Sequence, residues 1–155
     1  VSQKLPFEAD ETNVAAEYFA TMADVYRLTG EFAETVDMAE TADGGPKTVL
    51  ASARRLARMV GHDVEDKPLE SWQQLAQACR VKQCHQIQSA INKQLTKNMT
   101  ILGAGAGHFL VKAIAASLQH PYATLNSILP HQQEHLGVCL PAYAVAVLAD
   151  RKGIA

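Results

Sequence analysis

The segment MTILGAGAGHFLVKAIA, positions 99–115, constrains the fold of this chain more than any other stretch. It places Gly103, Gly105 and Gly107 between a short apolar run and a helix-like run. Glycine lets a backbone turn sharply and approach its neighbours closely, so the segment predicts a strand, a turn and a helix. The next apolar run, 122–129, reads as a second strand. Two strands flanking a helix predict a βαβ-like unit.

The glycine turn meets neither standard phosphate-binding pattern. A dinucleotide fingerprint would need glycine where His108 stands, and the Lys-Ser/Thr pair of a P-loop is missing. Two interpretations of the turn therefore remain open and carry equal weight. One is a tight corner with close strand–helix packing, and the other is a nucleotide contact near a helix N-terminus.

The chain before this turn is predicted to be mainly helical. Residues 1–12 read as extended or loop-like, and Asn13 is a candidate cap for a helix running to about Leu28. Helical periodicity predicts further helices over TVLASARRLARMVG and over 69–97, and a last one over YAVAVLADRK. We expect a helical segment over 1–97, followed by an α/β segment over 98–155.

Two short motifs in the helical part carry candidate chemistry. In EYFATMADVYR, helical spacing would place Glu17, Thr21 and Asp24 on one face, where they could bind Mg²⁺ through water or serve a general base. A solvated helix face explains the same pattern and is favoured by the residues alone. In TADGGPK, Asp43 favours a turn and Lys47 could reach a phosphate, with ordinary turn chemistry favoured.

No metal site is predicted. His131 and His135 bracket Glu134 in an H-x-x-E-H pattern, but Pro130 and Gly137 flank it and a third ligand is missing. The three cysteines are too few and too unevenly spaced for a disulfide framework, which indicates reduced thiols and a cytoplasmic setting.

Composition excludes several classes of protein. The chain has 155 residues, 48% hydrophobic and 19% charged, as in a soluble globular domain. A formal charge of −2 gives no basic face for nucleic acid. No apolar run approaches the roughly 20 residues of a membrane-spanning helix.

Four segments together resemble one protein family: NVAAEYFATMADVYRLTGE, TADGGPKT, SARRLARMVGHD and GAGAGHFLVKAIA. They are similar to the C-terminal half of the hydantoinase/oxoprolinase-like proteins of the tetrahydromethanopterin-linked C1 transfer pathway. Archaeal relatives act in methanofuran biosynthesis. The resemblance implies the C-terminal portion of an actin-like, Hsp70-like and sugar-kinase-like ATPase fold. It also implies a missing N-terminal lobe, because no D-x-G-x-T phosphate loop occurs in these residues.

The resemblance also implies roles for site residues, and it adds Arg27 and Ala104 to the candidates already named. It implies that the glycine turn packs against adenosine, as the adenosine wall of a nucleotide cleft. It also implies that the EYFATMADVYR segment is a family signature that faces this cleft, with the TADG turn beside it. Met22 and His108 depart from the residues expected in relatives, which are Thr at the first position and an acid or Arg at the second. The implied cofactor is ATP, or a substrate phosphate, with Mg²⁺. The implied catalytic residues are Glu17, Thr21, Asp24 and Arg27, and the implied cofactor-binding residues are Asp43, Lys47, Gly103, Ala104, Gly105 and Gly107.

The function implied is a step in the synthesis of a methanofuran-like cofactor, which joins a phosphorylated aminomethylfuran to a phenol-bearing amine. A small-molecule kinase of the same fold and a non-catalytic interaction domain are the alternatives. The expected partners are the missing lobe, a small-molecule substrate and a second copy of the chain, since a half-domain exposes an apolar patch that favours self-association.

Overall fold

The computed structural model describes residues 3–32, 37–128, 140–151 and 153. The chain divides into two compact units, Val1–Ile87 and Gln88–Ala155. The described part is mixed α/β, which confirms the predicted α/β class. Helices predominate, and the strands form two sheets of two strands each. The elements of the first unit are β1 (Gln3–Phe7), β2 (Asp10–Val14), α1 (Met22–Leu28), α2 (Val49–Met59) and α3 (Leu69–Asn92), whose last residues belong to the second unit.

An antiparallel hairpin, β1–β2, opens the first unit. Leu5 lies opposite Thr12, and Glu8 begins the two-residue turn with a positive φ of 54°. Leu5 and Phe7 alternate along β1 and are both buried, as expected for a strand with one face on a core. The Phe7 ring stacks on the buried Trp72 of α3, with ring centroids 5.5 Å apart. This packing holds the hairpin on the helical core.

The predicted helix from Asn13 to Leu28 is wrong in its first half. Asn13 lies in β2, opposite Lys4, and α1 begins only at Met22. Thr21 caps α1 instead, in a capping box with Asp24. The segment 10–14 pairs with β1 because that pairing completes the hairpin whose apolar face is buried, a long-range gain that outweighs local helical periodicity.

Helices α2 and α3 confirm the second and third predicted helices, although α3 ends at Asn92 rather than at 97. Their buried faces meet β1 and α1 in one core. Trp72 and Leu75 of α3 are at most 1% exposed, and Trp72 Nε1 donates to the Val64 carbonyl at 3.0 Å. The core residues, all hydrophobic and buried, are Leu5, Phe7, Val25, Leu28, Ala53, Leu56, Ala57, Val64, Trp72, Leu75 and Ala76.

The second unit contains the predicted βαβ-like unit. Its elements are β3 (Ile101–Gly103), α4 (His108–Ser117), β4 (Tyr122–Thr124) and a final helix, α5 (Leu140–Arg151). Strands β3 and β4 are parallel, with Ile101 opposite Tyr122, and α4 connects them. The second strand is shorter than predicted, since a 3₁₀ turn follows it directly. Across the described ranges, each helix is too short or too polar to cross a bilayer.

Candidate functional site

Six polar side chains in the first unit form one hydrogen-bonded group, called the ionic cluster below. Five of them are buried, and the sixth is the aspartate of the TADG turn. They come from α1, from α2 and from the segment between those helices. The members are Asp24, Arg27, Asp37, Asp43, Ser52 and Arg55.

Asp24 lies at the centre of the ionic cluster and is 1% exposed. Its Oδ1 accepts from Arg55 Nε at 2.8 Å, from Ser52 Oγ at 2.8 Å and from Arg27 Nη1 at 3.3 Å. Its Oδ2 accepts from the Thr21 backbone N–H at 3.0 Å. With both oxygens engaged, this carboxylate anchors two guanidinium groups and closes the first turn of α1.

Arg27 connects α1 to the segment that precedes α2. Its Nη2 donates to Asp37 Oδ2 at 2.7 Å, and its Nη1 donates to Ser52 Oγ at 2.7 Å. Ser52 in turn donates to Asp24, so the hydroxyl accepts from one charged group and donates to the other. Buried charges are tolerated only when they are paired and hydrogen-bonded in this way.

Arg55 joins the ionic cluster to the TADG turn. Its Nη1 donates to Asp43 Oδ1 at 3.0 Å and its Nη2 to the Pro46 carbonyl at 3.2 Å. Burial opposes the charge of this fully buried guanidinium, but Asp24 and Asp43 outweigh burial and raise the pKa of Arg55. The Gly45 N–H, followed by Arg55, lowers the pKa of Asp43 below its ordinary value. The Asp43 carboxylate of the turn is therefore held in its ionised form beside the Arg55 guanidinium.

Two cations, Lys47 and Arg58, lie at the outer end of the ionic cluster, beside the anionic Asp43. The Lys47 ammonium donates a hydrogen bond to the Asp37 carbonyl, and Arg58 Nη1 lies 3.9 Å from Asp43 Oδ2. The Arg58 side chain is 45% exposed. Helix α2 begins two residues after Lys47, with Thr48 as its N-cap. Lys47 therefore lies next to a helix N-terminus, which favours an anionic ligand, whereas Arg58 belongs to the last turn of the same helix.

The predicted alignment of Glu17 with Thr21 and Asp24 is wrong. Glu17 is exposed in the segment between β2 and α1, where no helical spacing applies. Thr21 and Asp24 are neighbours because they form the capping box, not because they share a helix face. The favoured solvated face is wrong for Asp24, which is buried, although Glu17 is exposed.

Sequence reasoning missed Ser52 and Arg55 as partners of Asp24. The signal was present, because Ser52, Arg55, Leu56 and Met59 recur at spacings of three, four and seven on one face of α2. An arginine within an apolar stripe indicates a buried partner of opposite charge. That partner, Asp24, is 31 residues away along the chain.

The glycine turn forms a separate site in the second unit. Gly103 ends β3, Gly105 has a φ of +77°, and Gly107 is the N-cap of α4. An added Cβ at Gly105 or Gly107 would meet nothing within 4 Å, so the backbone is open at both positions. The turn therefore combines an accessible main chain with a helix N-terminus.

Gly103 has a different environment. A Cβ there would lie 2.2 Å from the Tyr122 hydroxyl, because the phenol ring of that residue packs on the glycine. Tyr122 Oη also donates to the His108 carbonyl at 3.3 Å. Close packing therefore explains this glycine, and a purine could rest against it only if the Tyr122 ring moved.

Several predicted groups fall outside the described residues, among them His131, His135 and Cys139. Cys79 and Cys84 are free thiols in α3. Within the described ranges, no three His, Cys, Asp or Glu side chains are grouped so that they could hold a metal ion.

No protein-family model matches this chain, and no curated protein matches it.

Proposed function

We propose that this chain is the C-terminal part of an ATP-fold enzyme of tetrahydromethanopterin-linked C1 metabolism. Its reaction joins a phosphorylated aminomethylfuran to a phenol-bearing amine, and the phosphate group of the furan leaves as the new bond forms, in the synthesis of a methanofuran-like cofactor. The ATPase fold and the reaction are inferred from the resemblance of four sequence segments. The geometry adds support to that inference at two places in the chain.

The observation that carries the proposal is the convergence of three resembling segments on Arg55. This residue belongs to SARRLARMVGHD, and it binds Asp24 of the first segment and Asp43 of TADGGPKT. The contacts span 31 and 12 residues of sequence. These segments resemble one family both in their residues and in their order along the chain. Because they also meet at one ionic cluster, a shared site explains them better than chance.

The outer end of the ionic cluster suits a phosphate group. Lys47 donates to the Asp37 carbonyl, which leaves two ammonium protons for a ligand, and Arg58 is partly exposed nearby. The N-terminus of α2, two residues after Lys47, also favours negative charge. In this proposal Lys47 and Arg58 hold the phosphate of the furan substrate, and Asp24 and Arg55 position the turn that presents Lys47.

The glycine turn fits part of an ATP site. The open backbone at Gly105 and Gly107 could lie against adenosine, and ATP would supply phosphoryl-group activation when bound. The described residues hold no set of carboxylates suited to Mg²⁺. The proposal therefore assigns the phosphate loops and the metal ligands to an N-terminal lobe.

The first experiment reads the coding DNA upstream of the Val1 codon for a continuous frame with D-x-G-x-T loops. The protein encoded by that whole frame is then assayed with Mg-ATP and both substrates. We expect condensed product, and we expect Lys47→Met to raise KM for the phosphorylated furan while the exposed Lys93→Met leaves it unchanged. A frame without such loops, or no product in the assay, would refute the proposal.

A second variant pair tests the adenosine wall. Gly105→Val should weaken ATP binding, measured by calorimetry, because the new side chain occupies the open backbone. Gly61→Val is the matched control, since Gly61 has nearly the same φ, +78° against +77°, and equally open surroundings. Equal ATP affinity in the two variants would remove Gly105 from the site.

A further inference from the structure

An apolar cavity of about 410 Å³ opens in the first unit, between the hairpin and α1, α2 and α3. Its buried walls are Leu5, Val25, Leu56 and Leu75. Two exposed lining residues, Ala16 and Gln86, mark its mouth. Pockets for small molecules have this size and this mainly apolar lining, with a few polar groups that orient the ligand.

One positive charge lines the cavity. Lys82 is the single residue with a formal charge among its described lining residues. Its ammonium donates to the Lys4 carbonyl at 2.8 Å, next to the wall residue Leu5. Within the described part of the chain, Lys82 forms no ion pair with a carboxylate. Two of its protons are therefore available, and its charge is not neutralised.

The other polar groups of the lining are neutral. Burial raises the pKa of the Cys79 thiol to about 11, so this thiol carries no charge at pH 7. The amides of Gln83 and Gln86 and the hydroxyl of Thr21 also carry no charge, so the charge of the lining comes from Lys82.

We propose that this cavity binds a small monocarboxylic acid with an apolar tail. The tail packs against Leu5, Val25 and Leu75, and the carboxylate accepts a hydrogen bond from the Lys82 ammonium. The ligand supplies the negative charge that the lining lacks. This site is independent of the proposed function, which uses the ionic cluster and the glycine turn.

Calorimetric titration with sodium octanoate below its micellar concentration tests this site. We expect saturable binding of one octanoate per chain, tighter than binding of octan-1-ol or octylamine, which share the tail but not the charge. Lys82→Gln should weaken octanoate binding about tenfold, as expected for a lost charged hydrogen bond, and leave octan-1-ol binding unchanged. Lys93→Gln, an exposed lysine on the chain beyond α3, is the matched control.

A second variant tests the location of the tail. Ala20→Phe adds a ring to a partly buried lining residue, and it should reduce the affinity of both octanoate and octan-1-ol, with folding checked by thermal unfolding. The proposal is overturned if octanoate does not bind, or if octan-1-ol or octylamine binds as tightly. It is also overturned if octanoate affinity is unchanged in Lys82→Gln or in Ala20→Phe.

Discussion

Arg55 directs two of its nitrogens at one oxygen of Asp24. Nε lies 2.8 Å and Nη2 lies 2.7 Å from Oδ1, and both side chains are at most 1% exposed. This contact connects α1 and α2 at the point where the chain between them returns to the core. Because the pair is buried, its loss should affect the whole first unit.

Replacing the central carboxylate should destabilise the protein strongly. Asp24→Asn keeps the size of the side chain but leaves Arg27 and Arg55 with too little negative charge in a buried site. We expect the free energy of unfolding in urea to fall by about 3 kcal/mol or more. The matched control is Glu65→Gln, which breaks an exposed pair with Arg54 and should cost less than about 1 kcal/mol. Similar losses in both variants would show that the ionic cluster contributes no more than a surface pair.

The pair of Glu31 with Arg80 should make stability depend on acid pH. Burial would raise the pKa of Glu31, but hydrogen bonds from Arg80, at 2.6 Å to each oxygen, and from Thr29 lower it below the ordinary 4.5. A lowered folded-state pKa stabilises the protein above pH 4.5, and this contribution is lost as the pH falls further.

Urea unfolding from pH 7 to pH 3 measures this effect. The stability of Glu31→Gln should fall less steeply below pH 4.5 than that of the unmodified protein, and Glu70→Gln, at an exposed position of α3, should follow the unmodified curve. The prediction fails if the Glu31→Gln curve runs parallel to the unmodified one throughout.

The glycine turn should tolerate alanine unevenly. Gly103→Ala places a Cβ where the Tyr122 ring lies, so the ring must move, at a cost of about 1–3 kcal/mol in unfolding free energy. Gly107→Ala should cost far less, because its φ is ordinary and its surroundings are open. In a Tyr122→Ala background the Gly103→Ala penalty should largely disappear, and a penalty of unchanged size would argue against the packing of this ring on Gly103.

The Cys79 thiol should react slowly. Burial raises its pKa to about 11 from an ordinary 9.0, and the thiolate is the reactive form. In a chain with Cys84→Ser and Cys139→Ser, alkylation by iodoacetamide should accelerate with pH well beyond pH 9. The same chain unfolded in urea should react faster at pH 8, reach half of its limiting rate near pH 9 and level off above that pH. A folded-state rate that reaches half of its limit at pH 9 would contradict the burial of this thiol.

The local sequence pattern was sufficient to predict the helices and strands that form mainly because of their own residues. Helix α2 and most of α3 follow apolar periodicity, and the βαβ-like unit follows from apolar runs that flank three glycines. The Asp-Gly turn also forms as its residues indicate, with the Gly45 N–H donating to Asp43. In these segments the short-range preference and the final packing agree.

Tertiary contacts decided the hairpin, the start of α1 and the ionic cluster. Val14 fits the apolar period of the predicted helix, yet it pairs with Gln3 in the hairpin, whose β1 strand buries Leu5 and Phe7 in the core beside Trp72. Asp24 and Arg55 carry charges that a local pattern assigns to solvent, and burial became favourable only when segments 31 residues apart met. The apolar periodicity of a sequence indicates which residues can share one face of a helix or strand. The free energy of burying a strand or a charge depends on partners that only the folded chain supplies.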